Sequence, residues 1–242
     1  FVKVVQNSYN TYGLTDDGTI WRWGCKYNYG NYLTNDSEEN TGSYATEPEK
    51  YETEIKFKDI TSGYNCGYLV AMLDTDGNVY ISGQGYGAGY IVGDFSSSTN
   101  HYVEKLDTGD TKFKKIDIGN EFLIGLTEDG DFWAGGYVTS STPYGAIASG
   151  QTPKFEKRDL GFKVKDINAA YNTSYVVDEN GDVYAAGQNN NYSLGTNQYG
   201  LNYSEYTKVL EGKNIQKVDG EYYGTAALSN DGKIYFAGVT GT

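Results

Sequence analysis

The chain has one histidine, His101, one methionine and two cysteines, Cys25 and Cys66. With a single imidazole, a histidine triad or histidine-rich metal site would have to be built around a residue in a Ser/Thr/Asn-rich loop. No Gly-x-Ser-x-Gly elbow, phosphate loop or Cys-x-x-Cys pair accompanies it. The two cysteines make neither a disulfide framework nor a zinc cluster; they fall at different places along the chain and read as free buried thiols. Cations are scarce as well, 19 Lys and Arg against 32 Asp and Glu, a net charge of −13. No basic run exceeds the pairs Lys114-Lys115 and Lys157-Arg158. A phosphate backbone would repel such a chain, so nucleic acid is not an expected partner. The acidity is accounted for by solubility. No apolar stretch approaches the roughly 20 residues that cross a bilayer, so membrane insertion is not expected. Phe1 opens the chain without a Met or a signal-like apolar segment, which reads as a processed or trimmed start. No catalytic residue, metal or cofactor is expected from this inventory.

What is present is one hairpin, written five times. The clearest copy reads Tyr175-Val-Val-Asp-Glu-Asn180-Gly181-Asp-Val-Tyr-Ala-Ala-Gly187, two apolar runs joined by Asn-Gly. Such a dipeptide between β-branched or aromatic runs is a strong hairpin signal, because the turn needs positive φ. The same turn recurs at Asp17-Gly18, Asp76-Gly77, Asp129-Gly130 and Asp231-Gly232, in steps of 59, 53, 51 and 51 residues. Gly18, Gly77, Gly130, Gly181 and Gly232 are therefore assigned as structural turn residues. Three positions before each turn Asx stands Leu14, Leu73, Leu126, Val177 or Leu228, and three after it Ile20, Val79, Phe132, Val183 or Ile234. An aromatic residue follows every time, and a glycine falls seven after the Asx: Gly24, Gly83, Gly136, Gly187, Gly238. Upstream lies a short apolar strand beginning at Phe1, Phe57, Phe113, Val164 or Ile215. A strand apolar on both faces must be buried on both, which one unit cannot do and stacked units can. A period near 50 with several short strands points to propeller blades.

At these residues the chain resembles the regulator of chromosome condensation repeat family. That family's order of apolar strand, loop, small-apolar strand ending in Asp-Gly, strand ending aromatic-x-x-Gly, then Asn and a small-Leu-Gly turn is matched here. Val164-Lys-Asp-Ile167, Val176 to Gly181, Val183 to Gly187 and Asn189 to Ser193-Leu194-Gly195 follow it, and Trp21-Arg-Trp23-Gly24 is a second match. The resemblance runs from Phe1 to Gly238 and implies a β-propeller. There are departures. The loop histidine usual in the family is replaced by Asn10, Cys66, Phe122, Thr173 and Gly224, and the small residue before it becomes Asn7 and Glu221 in two copies. The resemblance brings with it the idea of an exchange factor for a small GTPase, which five degenerate repeats do not carry over.

The expected architecture is all-β, a single propeller domain over 1–242 with repeat cores at 1–24, 57–83, 113–136, 164–187 and 215–238. Fourth, outer strands are expected near Tyr51 to Ile55, Tyr102 to Leu106, Pro153 to Glu156 and Thr207 to Leu210. Leu33 to Tyr51 reads as a polar excursion and Gln84 to Tyr90 as a Gly/Tyr-rich turn. Three strands per core plus four outer strands leave the fifth blade one strand short. Either a five-bladed ring closes imperfectly, or strands or blades come from another chain or from further sequence. The count favours a piece of a longer propeller, seven blades being usual in the family it resembles.

Two acidic stretches, Asp74-Thr-Asp76-Gly77-Asn78 and Asp178-Glu-Asn180-Gly181-Asp182, look like the opening of calcium loops but coincide with the hairpin turn and lack a closing Glu. Turn chemistry explains them. The sequons at Asn35, Asn172, Asn191 and Asn202 carry little weight in a chain this rich in Asn, Ser and Thr. The 25 tyrosines exceed what five repeated aromatic positions use. Tyr27, Tyr29, Tyr32, Tyr86, Tyr90, Tyr192, Tyr199 and Tyr203 fall in loops between strands, with Tyr206 close behind. Loop Tyr and Asn make adaptable contact surfaces, so these are the candidate binding residues. The reading is a non-catalytic binding or scaffold module with a protein partner, or a glycan, at the cell surface or outside the cell. A cytoplasmic regulator of a small GTPase and a secreted enzyme inhibitor are the alternatives.

Overall fold

The computed structural model describes residues 1–26, 33–34, 44–63, 69–95, 100–137, 142–146, 152–196 and 198–239. Its strands form five antiparallel sheets, one per repeat. The first holds β1 (Lys3–Gln6), β2 (Asn10–Leu14), β3 (Ile20–Cys25) and β4 (Tyr44–Lys50), and the second β5 (Phe57–Ser62), β6 (Leu69–Asp74), β7 (Val79–Gln84) and β8 (Asn100–Lys105). The third holds β9 (Phe113–Ile118), β10 (Phe122–Thr127), β11 (Phe132–Gly136) and β12 (Glu156–Arg158), and the fourth β13 (Val164–Ala169), β14 (Thr173–Asp178), β15 (Val183–Gln188) and β16 (Asn202–Leu210). The fifth holds β17 (Ile215–Glu221), β18 (Gly224–Ser229) and β19 (Ile234–Gly238). Strand order follows chain order in every sheet. This is a β-propeller, each blade a meander.

The hydrophobic cores lie between blades. Tyr12, Leu14 and Ile20 pack on Phe57, Ile60 and Met72 of the next blade. Leu73, Val79 and Ile81 meet Phe113 and Ile116, Leu126 and Phe132 meet Val164 and Ile167, and Val177 and Val183 meet Ile215 and Val218. This is why β6, β10 and β14 are buried on both faces. Each such side chain contributes roughly 1.5–3 kcal/mol by leaving water. A backbone latch repeats beside each core. The first N–H of a blade donates to the preceding turn glycine: Phe57 to Gly18, Phe113 to Gly77, Val164 to Gly130, Ile215 to Gly181, at 2.9–3.0 Å.

The hairpin turns are one residue longer than two-residue turns. Gly181 N–H donates to Asp178 C=O and Asp178 N–H to Asp182 C=O. Gly181 alone takes positive φ, at 84°, while Asn180 does not. A type I turn closed by a left-handed glycine has this form. The first carboxylate of each calcium-like stretch is engaged within its own turn: Asp74 accepts from the Asn78 N–H and side-chain amide at 2.7 Å, and Asp178 from the Asp182 N–H at 2.9 Å.

Several expectations are corrected. The outer strand of the first blade is β4, inside the polar excursion, and not Tyr51 to Ile55. It pairs on one side only, so its polar side chains face water and Pro48 is tolerated. Tyr51 is buried just beyond it, its N–H donating to Ile20 C=O at 2.9 Å. The third outer strand begins at Glu156, and the fourth reaches back to Asn202, which takes Tyr203 and Tyr206 out of the loop. His101 lies in β8 rather than in a loop. The Gly/Tyr-rich turn is a helix, α1 (Gly85–Val92). Glycine costs about 1 kcal/mol per helical position, so this helix is held by docking. Gly87, Ala88, Gly89 and Ile91 are its buried side, and Gly93 at φ 91° ends it.

Candidate aromatic binding face

In a meander, the connections between first and second strands and between third and fourth strands emerge at the same end of the blade. The glycine turns Gly18, Gly77, Gly130, Gly181 and Gly232 lie at the opposite end. Tyr86 and Tyr90 on α1, Tyr192 and Tyr199 in the β15–β16 connection, and Tyr203 at the start of β16 therefore share one face of the propeller. Tyr27, Tyr29 and Tyr32 lie outside the described residues.

The structure brings some of these together. Tyr86 stacks on Tyr137 of the following blade at 4.8 Å between ring centroids, and Tyr90 meets Tyr137 and Phe95 edge-on at 5.3 Å each. Tyr86 and Phe95 remain 44% and 47% exposed. The cluster is set by the close approach of α1 to β10: a Cβ on Gly87 would lie 3.0 Å from the Glu121 Cα. Tyr137 is fixed by its own N–H, which donates to Glu121 C=O at 2.9 Å. A second group stands on the fourth and fifth blades, where Tyr222 meets Tyr171 at 5.0 Å and Tyr223 at 4.7 Å, both edge-on.

Tyr192 and Tyr199 form a third pair, centroids 5.4 Å apart. Their loop is organised by Asn189, which is fully buried. Its amide donates to Thr196 Oγ1 at 2.8 Å and to Gln198 C=O, and its Oδ1 accepts from Leu194 N–H at 3.1 Å. Tyr203 belongs to this scaffold, its hydroxyl bonded to Thr196 and Gln198. Tyr206 points inward to Ser174 Oγ at 2.5 Å. The loop-tyrosine reading missed Tyr137, Tyr171, Tyr222, Tyr223 and Phe95. Tyr137 stands just after the blade glycine Gly136, and Tyr171, Tyr222 and Tyr223 one or two residues past the loop position held by Ala170 or Glu221; these positions mark the face, whereas Phe95, beyond α1, carries no such signal.

The same face opens onto a central cavity of about 300 Å³ lined by β1, β5, β9, β13 and β17, with Tyr171 and Glu221 at its rim. Polar side chains at the fifth position of the last four of these strands, Thr61, Asp117, Asn168 and Asp219, form an interlocked row. Asp117 accepts from Thr61 Oγ1 at 2.9 Å, Ala169 N–H at 2.8 Å and Asn168 Nδ2 at 3.1 Å. Gly220 N–H in turn donates to Asn168 Oδ1 at 2.8 Å. Burial holds the Asp117 carboxyl above the ordinary range against these donors. Glu221 is raised by burial first and then by the charges of Asp219 and Asp117, and Glu121 by burial alone. The face thus combines flat aromatic surface with the half-buried carboxylate of Glu121 and the exposed carboxylate of Glu221, a combination suited to cationic or amide-bearing groups.

His101 is buried in β8 with Nδ1 2.6 Å from Glu104 and Nε2 3.2 Å from Asp94, the latter without hydrogen-bond alignment. Among the described residues, no group of three His, Cys, Asp or Glu side chains gathers as a metal site, and no helix is long and apolar enough to cross a membrane. Cys25 is half-buried in β3, and Cys66 lies outside the described residues.

No protein-family model matches the chain. Among solved structures it is similar to Prp20p of Saccharomyces cerevisiae, studied with its binding to Gsp1p and histones, at TM-score 0.76 and 17% identity over 98% of this chain and 56% of that one. It is similar to human WBSCR16 at TM-score 0.74 and 16% identity, over 98% and 62%. The CRINKLY WD40 ectodomain of the Arabidopsis thaliana receptor kinase ACR4 follows at TM-score 0.56 and 12% identity, over 98% and 64%. The chain spans less than two thirds of each of these proteins. At such identities the likeness is one of fold: the chain folds as a divergent β-propeller of the type seen in yeast RCC1 (Prp20) and WBSCR16.

Proposed function

We propose that the chain is a non-catalytic binding module, one propeller domain whose aromatic face docks a protein partner. The observation that carries this reading is the Tyr86, Tyr90, Phe95 and Tyr137 cluster, rings packed on one another across two blades with Tyr86 and Phe95 exposed and Tyr90 and Tyr137 half-buried. Rigid aromatic side chains offer large contact area at low entropic cost, which is what a binding surface needs. The carboxylates of Glu121, half-buried, and Glu221, exposed, on the same side favour a partner with basic or amide groups at its centre. Placement outside the cell or at its surface belongs to this reading and rests on composition: few Lys, many Tyr, Asn and Thr. A glycan ligand, an enzyme held as the target of inhibition, and a small GTPase are the competing occupants of the face.

The test is parallel capture with the wild-type chain and a Tyr86→Ser/Tyr137→Ser variant, from culture supernatant and from lysate, alongside a glycan array and a nucleotide-release assay on small GTPases. A protein held by the wild type and lost by a variant of unchanged fold supports the reading. Accelerated nucleotide release replaces it with the GTPase alternative. A partner bound equally by both proteins removes the aromatic face from the function.

A further inference from the structure

Phe95 reaches the aromatic cluster on a segment with little backbone support. Beyond α1 the N–H groups of Gly93, Asp94 and Phe95 all point to one carbonyl, that of Gly89, at 2.9–3.1 Å. A carbonyl has two lone pairs, so three donors share what two would fill. Phe95 itself takes φ 57°, a left-handed conformation that is strained for a bulky residue and persists only where its surroundings impose it. Its ring nevertheless meets Tyr90 at 5.3 Å.

The charged anchor of this segment is Asp94, 3.2 Å from Nε2 of the buried His101, whose Nδ1 lies 2.6 Å from Glu104. A bulge sets this up. Ile81 pairs with Glu104 but Gly83 with His101, so one extra residue in β8 turns both side chains to the same face and Lys105 to the other. Among the described residues the remaining surroundings add one charge. β7 brings Gly83 and Ser82, whose Oγ donates to His101 C=O at 3.2 Å, α1 has no charged residue, and Thr34 C=O accepts from Val103 N–H. The charge is Lys154, whose stem lies 3.0 Å from where a Cβ on Gly93 would stand. Both ring nitrogens thus face carboxylates, which only accept. Imidazolium donates from both, neutral imidazole from one. The shorter contact to Glu104 keeps its proton, and the Nε2 lone pair, buried without an aligned hydrogen bond, is then turned on the Asp94 carboxylate.

We propose that His101 is a proton-operated latch on the aromatic face: as imidazolium it bridges Glu104 and Asp94 and keeps Phe95 against Tyr90, and as neutral imidazole it lets go of Asp94, so that Phe95 leaves the cluster. Docking through this face then strengthens as pH falls through the imidazole's titration and weakens as pH rises through it. The inference rests on the reading of this face as the docking surface. Its readouts lie within the chain and need no partner, so failure of the latch and failure of partner capture are separate results.

His101 is the chain's one histidine, so its ring protons report its titration without overlap. The test follows these protons, the Phe95–Tyr90 nuclear Overhauser contact and the protection of the Asp94 and Phe95 amides in one pH series carried until the ring titration is complete. The contact is expected to fade with the midpoint of the ring titration, and protection, corrected for intrinsic exchange, to fall by about tenfold or more. Asp94→Asn, at a side chain 36% exposed, is expected to keep the contact at both ends of the series, since its amide donates to the Nε2 lone pair. His101→Gln, which has no titrating ring, is expected to lose the midpoint. A wild-type contact unchanged across the ring titration overturns the latch. Fading that persists at the same midpoint in Asp94→Asn overturns it as well, because another group then works the segment.

Discussion

Tyr86 and Tyr137 belong to neighbouring blades, yet their rings stack at 4.8 Å with planes within 22° of parallel. The contact ties α1, an insertion of the second blade, to the end of β11 in the third. Tyr137→Ala removes the ring that Tyr86 and Tyr90 both touch. A surface aromatic pair contributes about 0.5–1.5 kcal/mol beyond area burial, so the loss of stability is expected to stay within about that range. Partner binding is expected to fall far more. Urea unfolding and a binding titration on the same samples separate the two, and a variant that binds normally sinks the assignment.

Gly187 tests the blade glycine. It sits at φ 111°, and a Cβ there would strike the Asn172 carbonyl oxygen. Gly24, Gly136 and Gly238 meet the Tyr9, Glu121 and Tyr223 carbonyls in the same way. The third strand thus passes directly beneath the loop that carries the aromatic face. Gly187→Ala is expected to cost about 3 kcal/mol or more, combining backbone strain with a clash. Gly200→Ala is the control: its φ is also positive, at 73°, but nothing lies within 4 Å, and the expected cost is about 1 kcal/mol. Equal denaturation midpoints for the two variants contradict this account.

Glu221 gives a pH signature. Its carboxyl is held above 4.5 by burial and by the nearby charges of Asp219 and Asp117, so the folded chain binds a proton there before the unfolded chain does. This group therefore lowers stability progressively as pH rises from 4.5 through its folded value, and its unfavourable contribution is complete above that value. Glu221→Gln removes the charge. The variant is expected to be more stable than the wild type at neutral pH, with the difference closing as pH falls toward 4.5. Comparing the two proteins at each pH cancels the opposite trend from Asp17 and Asp231, whose hydroxyl and lysine partners hold them near 2. No gain at neutral pH refutes the electrostatic reading of the rim.

The blade cores were legible because each repeated position has a repeated physical cause. Leu73, Val79 and Phe113 recur in register since they meet in one interblade core, and Gly181 recurs since its turn demands positive φ. α1 was not legible, because three glycines in Gly85-Tyr-Gly-Ala-Gly-Tyr argue against a helix and only docking of its small-residue side overrides them. β4 was not legible because a one-sided outer strand needs no apolar alternation. For the face, tyrosines were read by the stretch they occupied. What decides is the end of the blade from which a loop emerges, and that rule separates Tyr171 and Tyr222 from tyrosines such as Tyr206, which turns inward.

Asn189 offers the sharpest separation of scaffold from contact surface. Its side chain touches no candidate ligand surface, yet it holds Thr196, Gln198 and Leu194 together from a fully buried position. Asn189→Ala removes these bonds, leaving the buried Leu194 N–H without its side-chain acceptor while Thr196 keeps the Tyr203 hydroxyl, and a buried group so orphaned costs on the order of 1–3 kcal/mol. The backbone hydrogen bond from Gly200 N–H to Asn189 C=O would survive the substitution by chemistry, so any loss of its protection reports the loop and not the deleted amide. Amide exchange is expected to rise at Leu194 and Gly200 together while the β13–β14 ladder stays protected. The Tyr192 and Tyr199 rings, no longer fixed relative to each other, are expected to lose their mutual nuclear Overhauser contacts. If Gly200 keeps its protection, the loop is held by Tyr203 and its hydroxyl contacts, and Asn189 is a filler of space.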